Sequence, residues 1–236
     1  MLKMTNKILK LPDTSLCAIV RDEERNPAGG IERWLRQTLP FFYHGVVVDT
    51  GSTDNTRKIL ADLQKQFPYL QVFDHVFDGF STSRNFSLSK VQTKRAFVMD
   101  ADELLMPEDY LMLLRFMEKN PVERYEFEFQ HINENGYVAN GYGLNPRLFD
   151  VNGANFHHNA GFISDCYELF MGVGKTLNVP VAIKHFLPPN NAVHRKKDGW
   201  YHGGVFRKST PLENARENGW KEYNPQRDKY DWCCVR

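Results

Sequence analysis

The chain has 236 residues, 42% of them hydrophobic and 25% charged, which is ordinary for a soluble globular protein with a sizeable core. Lys and Arg number 30 against 29 Asp and Glu, and the net charge of +1 excludes a generally basic nucleic-acid binder or an acidic tail protein. No apolar run approaches the ~20 residues a membrane-spanning helix needs. Residues 1–10 lack an apolar signal-peptide core, so the expectation is a soluble, cytoplasmic protein. Cys17, Cys166, Cys233 and Cys234 form no CxxC pair and read as free thiols in a reducing compartment.

In chain order, residues 15–20 are a short apolar run and predict a buried strand. Residues 29–39 set Ile31, Trp34, Leu35 and Leu39 at helical spacing. Val46, Val47 and Val48 form a β-branched run that ends at Asp49. Gly51-Ser52-Thr53-Asp54 is a turn with helix-capping chemistry, and the helix after it carries Ile59, Leu60 and Leu63. Residues 70–76 predict a third strand, 81–91 a short helix and 96–99 a fourth strand. Alternating strands and helices imply right-handed βαβ units and a mostly parallel α/β sheet.

The pattern changes after about residue 105. Residues 110–117 predict a helix, and residues 125–132 with 137 onward predict a hairpin around Asn135-Gly136. Residues 144–150, 162–170 and 179–185 predict strands, so this part is mixed, with antiparallel pieces. Pro188-Pro189-Asn190-Asn191 breaks the pattern, and a mobile loop with terminal helices is expected beyond it.

The chemistry concentrates where strands end. The run 96–99 leads into Asp100-Ala101-Asp102-Glu103, and ligands of open α/β sheets bind at the carboxyl ends of strands. Two carboxylates one residue apart repel unless a cation sits beside them, and hard divalent metals prefer such oxygen ligands. A metal held there can also bind a diphosphate. The same acids also read as a solvated turn that caps a helix. Asp49 likewise ends a strand, where a carboxylate can accept a hydrogen bond from a nucleobase N–H. Asp54 reads as a helix cap. Gly172-Val173-Gly174-Lys175-Thr176 ends like a P-loop but has Leu169 where the first glycine belongs, so it reads as a turn. His157-His158 lacks further ligands at zinc spacing. Residues 194–202 are basic and aromatic and read either as a solvated loop or as a lid over a diphosphate.

Six stretches together resemble one family: 20–24 (VRDEE), 46–56 (VVVDTGSTDNT), 80–85 (FSTSRN), 99–103 (MDADE), 146–149 (PRLF) and 183–185 (IKH). They resemble the nucleotide-sugar glycosyltransferases of the GT-A fold, family 2, and within it the branch of lipopolysaccharide-core β-glucosyltransferases. The resemblance covers about residues 15–186. It implies a GT-A catalytic domain over 1–186, with a nucleotide-binding half at about 15–105 and an acceptor half at about 106–186. Residues 187–236 would form a loop and helical tail.

The resemblance implies roles as well. Asp49 would contact the base, usually uracil. Val20, Arg21, Asp22 and Glu23 would line the nucleotide pocket, and Arg84 would sit over the nucleotide or its phosphates. Asp100, with Ala101, would hold the ribose or a metal-bound water. Asp102 would ligate Mn²⁺ or Mg²⁺, with His185 as a third contact to metal or diphosphate. The base that activates the acceptor hydroxyl would be Glu168 or Asp165; Tyr167 stands where the branch often has His. The implied reaction moves a sugar, with inversion, from a UDP-sugar to a hydroxyl of a glycan or other acceptor. The rival readings are a non-catalytic carbohydrate-binding module and a nucleotidyltransferase or hydrolase on the same fold. A nucleotidyltransferase would show a Gly-rich basic loop where Arg21-Asp22-Glu23-Glu24 stands.

Overall fold

The computed structural model describes residues 9–140, 144–158, 168–187 and 221–222. Strand and helix alternate first: β1 (Thr14–Val20), α1 (Ile31–Thr38), β2 (His44–Asp49), α2 (Thr56–Gln66), β3 (Leu70–Asp74), α3 (Phe80–Leu88) and β4 (Arg95–Val98). The second part begins with β5 (Glu103–Leu104), α4 (Pro107–Lys119), β6 (Arg124–Ile132), β7 (Tyr137–Asn140) and β8 (Asn145–Asp150). It continues with β9 (Asn155–His158), β10 (Glu168–Met171), β11 (Thr176–Phe186) and β12 (Lys221–Glu222).

The strands β3, β2, β1 and β4 lie side by side in that order, all parallel. β8 joins β4 antiparallel, β6 joins β8 antiparallel, and β7 and β12 continue from β6. β11 runs parallel to β6 and takes β5 antiparallel on its other edge. This is the expected α/β, Rossmann-like GT-A arrangement: a parallel half flanked by helices, then a mixed half.

Period-two alternation divides the core into two layers. Leu16, Ala18 and Val20 of β1, Val47 of β2 and Phe97 of β4 pack with α1, α2 and α4. Cys17 and Ile19, Val46 and Val48, and Ala96 and Val98 face the other way, toward α3 and the β9–β10 pair. The helices answer with single buried stripes. α1 buries Ile31, Trp34, Leu35 and Thr38, and α4 buries Tyr110, Leu113, Leu114 and Met117. Gly30 precedes α1 at φ 90°, and a Cβ there would lie 2.4 Å from the Glu24 carbonyl oxygen. Only glycine lets the β1–α1 loop close on itself.

α3 departs from this pattern, because its buried residues are Ser83, Arg84 and Ser87. Cys17 Sγ lies 3.1 Å from Ser87 Oγ, and burial pushes that thiol up to about 11. A polar buried face on a helix signals a site rather than a core.

The expected hairpin at Asn135-Gly136 joins β6 to β7, with Gly136 at φ 74°. The third strand stops at Asp74, short of the expected residue 76. Where terminal helices were expected, the described part of the tail is β12, paired to β7. Residues 159–167, including Asp165 and Cys166, and the basic segment 194–202 lie outside the described residues, as do Cys233 and Cys234. Among the described residues no helix is long and apolar enough to cross a membrane.

Phe97 sits at the centre of β4, fully buried, with ring centroids 5.8 Å from Phe42 and 5.0 Å from Phe127. Phe97→Ala is expected to destabilise the chain by about 3–5 kcal/mol through lost transfer energy and a cavity. Denaturant unfolding of wild type and variant measures this; a loss under about 1 kcal/mol would contradict this packing.

Candidate functional site

The carboxyl ends of β1, β2 and β4 open on one rim of the sheet, and the site grows from the loops that follow them. Asp49 ends β2 and is only 4% exposed. Its Oδ1 accepts the backbone N–H groups of Gly51 and Ser52 at 2.9 and 2.8 Å, so it does close the turn. Its Oδ2 is buried and has no hydrogen-bond partner in the structure. A buried acceptor left unpaired costs stability unless a ligand supplies the donor. Asp54 was expected to cap α2; the N-cap position falls on Asn55, and Asp54 stands just before it, accepting from the N–H of Thr56 at 2.8 Å while its other oxygen takes the N–H of Glu24 at 3.0 Å.

Asp22 follows β1 in the left-handed region, at φ 55°. Its Oδ1 accepts from the N–H groups of Thr53 and Asp54, at 2.6 and 3.2 Å. Burial pushes its pKa up, yet those two N–H groups hold it below the ordinary value. Glu23 is half-buried, and burial, then Asp102, pushes it up to about 8.

Asp100 stands just beyond β4. Its Oδ1 accepts from Nη2 of Arg84, and Nη2 of Arg147 lies 3.5 Å from its Oδ2. Burial opposes ionisation, but the two guanidiniums hold the carboxyl at about 2. Glu103 is buried beside it. One of its oxygens accepts the Asp100 N–H at 2.9 Å and the other accepts from Arg147 at 2.5 Å. Burial nevertheless raises it to about 7. Arg147 reaches this point from β8, lying over the Phe129 ring at 5.1 Å from its centroid.

β5 completes the site. It pairs its Glu103 with His185 of β11, and the Phe186 N–H bonds the Asp102 carbonyl at 2.9 Å. His185 Nε2 and Asp102 Oδ2 thereby lie 3.5 Å apart. On its other edge His185 pairs with His131 of β6, with Nδ1 atoms 3.0 Å apart. Burial lowers His131 to about 4, with the charge of His185 adding to it. Burial also opposes charge on His185, but Asp102 overrides it and raises His185 to about 9. His185 thus shares a hydrogen bond with His131 through Nδ1 and turns Nε2 to Asp102.

The structure thus brings together Glu23, Arg84, Asp100, Asp102 and His185 in one charged cluster, and ties Asp22 and Asp49 to the 51–54 turn on the same rim. Val20 lies in the core with its carbonyl taken by Thr50 N–H at 2.9 Å, so its part is to end β1 beside Asp49. Arg21 Nε lies 3.9 Å from Asp22 Oδ2. Ala101 is buried, and its carbonyl accepts from Asn26 Nδ2 at 2.8 Å. Glu168 opens β10 opposite His158, and Asp165 lies outside the described residues.

Sequence reasoning did not single out Arg147, His131 or Asn26. Arg147 stood in a quoted motif, and a buried acid cluster needs cations nearby, so that signal was available. His131 depends on β6–β11 register, which residue spacing does not carry.

The sequence matches the family described as "Glycosyl transferase family 2" over residues 15–186. A mostly parallel α/β fold with paired acids at its strand ends belongs with that match: the chain belongs to glycosyl transferase family 2. It is 26% identical over 133 residues to an "Uncharacterized glycosyltransferase" of Rickettsia bellii (strain RML369-C), which covers 56% of this chain and 19% of that protein. Among solved structures it resembles S. aureus TarS 1-349 in complex with UDP-GlcNAc, at TM-score 0.44 and 20% identity, over 52% of this chain and 36% of that one. It also resembles the mannosyltransferase PcManGT from Pyrobaculum calidifontis in complex with GDP-Man and Mn²⁺. That match has a TM-score of 0.42 and 18% identity, and covers 49% of this chain and 35% of that one. The chain thus spans about a fifth of the curated relative and little over a third of these solved chains.

Arg147→Met leaves Glu103, 2% exposed, without its cation and is expected to cost about 3–5 kcal/mol. Adding Glu103→Gln should recover at least about 1 kcal/mol, because the buried group is then neutral. Denaturant unfolding at pH 8 of both variants decides; additive losses would contradict the pairing.

Proposed function

We propose that this chain is a metal-dependent, inverting glycosyltransferase that moves a sugar from a UDP-sugar to an acceptor hydroxyl in glycan synthesis. The observation that carries the reading is the buried, unpartnered Oδ2 of Asp49 on the same rim as the Asp100–Asp102 pair. Uracil offers N3–H to such an acceptor, and burial strengthens the bond. The nucleotide-binding half is residues 15–105, and the acceptor half is residues 106–186.

The donor set suits a hard divalent cation. Glu23, Asp100, Asp102 and Glu103 outnumber Arg84 and Arg147; burial first, and the neighbouring carboxylates after it, raise Glu23 and Glu103, while Asp102 raises His185 against its burial. Asp102 and His185 converge, and among the described residues no third His, Cys, Asp or Glu joins them in a metal-ready group. Asp102 and His185 would hold Mn²⁺ or Mg²⁺, which would supply Lewis-acid stabilisation of a diphosphate leaving group.

The chain's own groups do the remaining work. His131 keeps His185 Nε2 turned to Asp102. Arg84 and Arg147 fix the Asp100 carboxylate, so it can meet the ribose or a water without reorganising. Arg84 also adds positive charge near the phosphates. Glu168 or Asp165 takes the acceptor proton as the oxygen attacks the anomeric carbon from the face opposite the diphosphate.

Titration calorimetry tests this reading with UDP in Mn²⁺ and in EDTA. UDP should bind in Mn²⁺, and EDTA or Asp102→Ala should weaken it at least about 10-fold. UDP binding that ignores both chelation and Asp102→Ala would reject a metal-dependent donor site, as would retained sugar binding without nucleotide binding.

A further inference from the structure

The Asp22-Glu23-Glu24 segment, expected to line the nucleotide pocket, is also bonded to the chain after β2. Each of its residues is tied to the loop after β2. The Asp22 N–H donates to Ser52 Oγ at 2.9 Å, the Glu23 N–H to Thr56 Oγ1 at 2.7 Å and the Glu24 N–H to Asp54 Oδ2 at 3.0 Å. In return the carboxylates of Asp22 and Glu24 accept. Glu24 Oε1 takes Asn55 Nδ2 at 3.0 Å, and Asp22 Oδ1 takes Thr53 N–H and Oγ1–H and Asp54 N–H. The two loops are zipped residue by residue.

The zipper leads to one atom. Asp22 holds Ser52 and Thr53, and the N–H groups of Gly51 and Ser52 grip Asp49 Oδ1. That grip sets the direction of the buried Oδ2, the one oxygen of Asp49 left for a ligand. Gly51 lies at φ 107°, and a Cβ there would meet nothing within 4 Å, so the turn is held at that point by hydrogen bonds rather than by packing. Asp22 itself adopts φ 55°, a conformation that Asp, Asn and Gly tolerate far better than other residues.

We infer that Asp22 is a positioning residue for base selection: it fixes the 51–54 turn, and through it aims Asp49 Oδ2 at the N–H of the bound nucleobase. It acts through the turn, not by touching the nucleotide. The inference rests on the proposed role of Asp49 as base acceptor, and it assigns base selectivity to a residue on a different loop. Aspartate suits the position because one side chain must tolerate a left-handed backbone and accept several donors at once.

UDP and CDP separate this role from simple support of the fold. Uracil carries N3–H, whereas cytosine N3 carries no hydrogen and only its 4-amino group donates on that edge; CDP lacks the N3–H bond, and CDP binding to Asp49→Ala checks that the 4-amino group does not replace it. The full chain is titrated with each nucleotide in Mn²⁺, as wild type, Asp22→Asn, Asp22→Gly, Asp22→Ala and Asp49→Ala. Asp22→Asn keeps both backbone and acceptor oxygen and should stay within about 3-fold of wild type for UDP. Asp22→Gly keeps only the backbone, and should weaken UDP about 10-fold while leaving CDP unchanged. Asp22→Ala should match it; if that variant does not fold, Asp22→Gly alone decides. Equal weakening of UDP and CDP in Asp22→Gly, or a wild-type preference in it, overturns the inference. Asp49→Ala should erase the preference. If it does so while Asp22→Gly keeps the preference, only this inference falls. If Asp49→Ala keeps the preference, the base-acceptor reading falls and this inference with it.

Discussion

Negative charge crowded onto one rim of the sheet is the constraint around which this structure is organised. Glu23, Asp100, Asp102 and Glu103 lie close enough to shift one another's ionisation. Carboxylates this close and this buried hold together only if cations and N–H groups are built in beside them. The fold supplies them from distant elements: Arg84 from α3, Arg147 from β8 and His185 from β11. This explains the buried arginine of α3, and it gives a role to the end of β11, where Lys184 and His185 pair β6 on one edge and β5 on the other.

Several carboxylates on that rim divide their oxygens between structure and chemistry. Asp49 commits Oδ1 to its turn and keeps Oδ2 unpartnered. Asp102 spends its backbone carbonyl on the Phe186 N–H while its side chain meets His185. Asp22 and Glu24 are spent on the neighbouring loop. Such division makes a site rigid before a ligand arrives, which lowers the ordering cost of binding. Rigid acceptors at fixed strand ends also give a physical reason for the proposed donor to bind there.

The parallel half was legible because burial on both faces writes continuous apolar runs, as in Leu16–Val20 and Val46–Val48, with turn chemistry between them. The acids at the ends of those runs were legible for the same reason: a strand that ends at Asp49, or just before Asp100, sets them at the rim. β5 was not legible, because two residues inside an acidic run carry no periodicity, and its existence depends on β11. β12 has two residues as well, and its partner β7 lies far back along the chain. The pairing of His131 with His185 needs the register of two strands whose paired residues lie 54 apart. The role of Arg147 was hidden differently: its motif was visible, but its buried partner Glu103 reads in sequence as one more solvated acid.

A crystal structure of the full chain with UDP and Mn²⁺ tests the central claim most directly, because it locates the nucleotide against named atoms. The account predicts the uracil N3–H on Asp49 Oδ2 and the cation beside Asp102 and His185. A nucleotide bound on another face, or one seated here with its base turned away from Asp49, would contradict it.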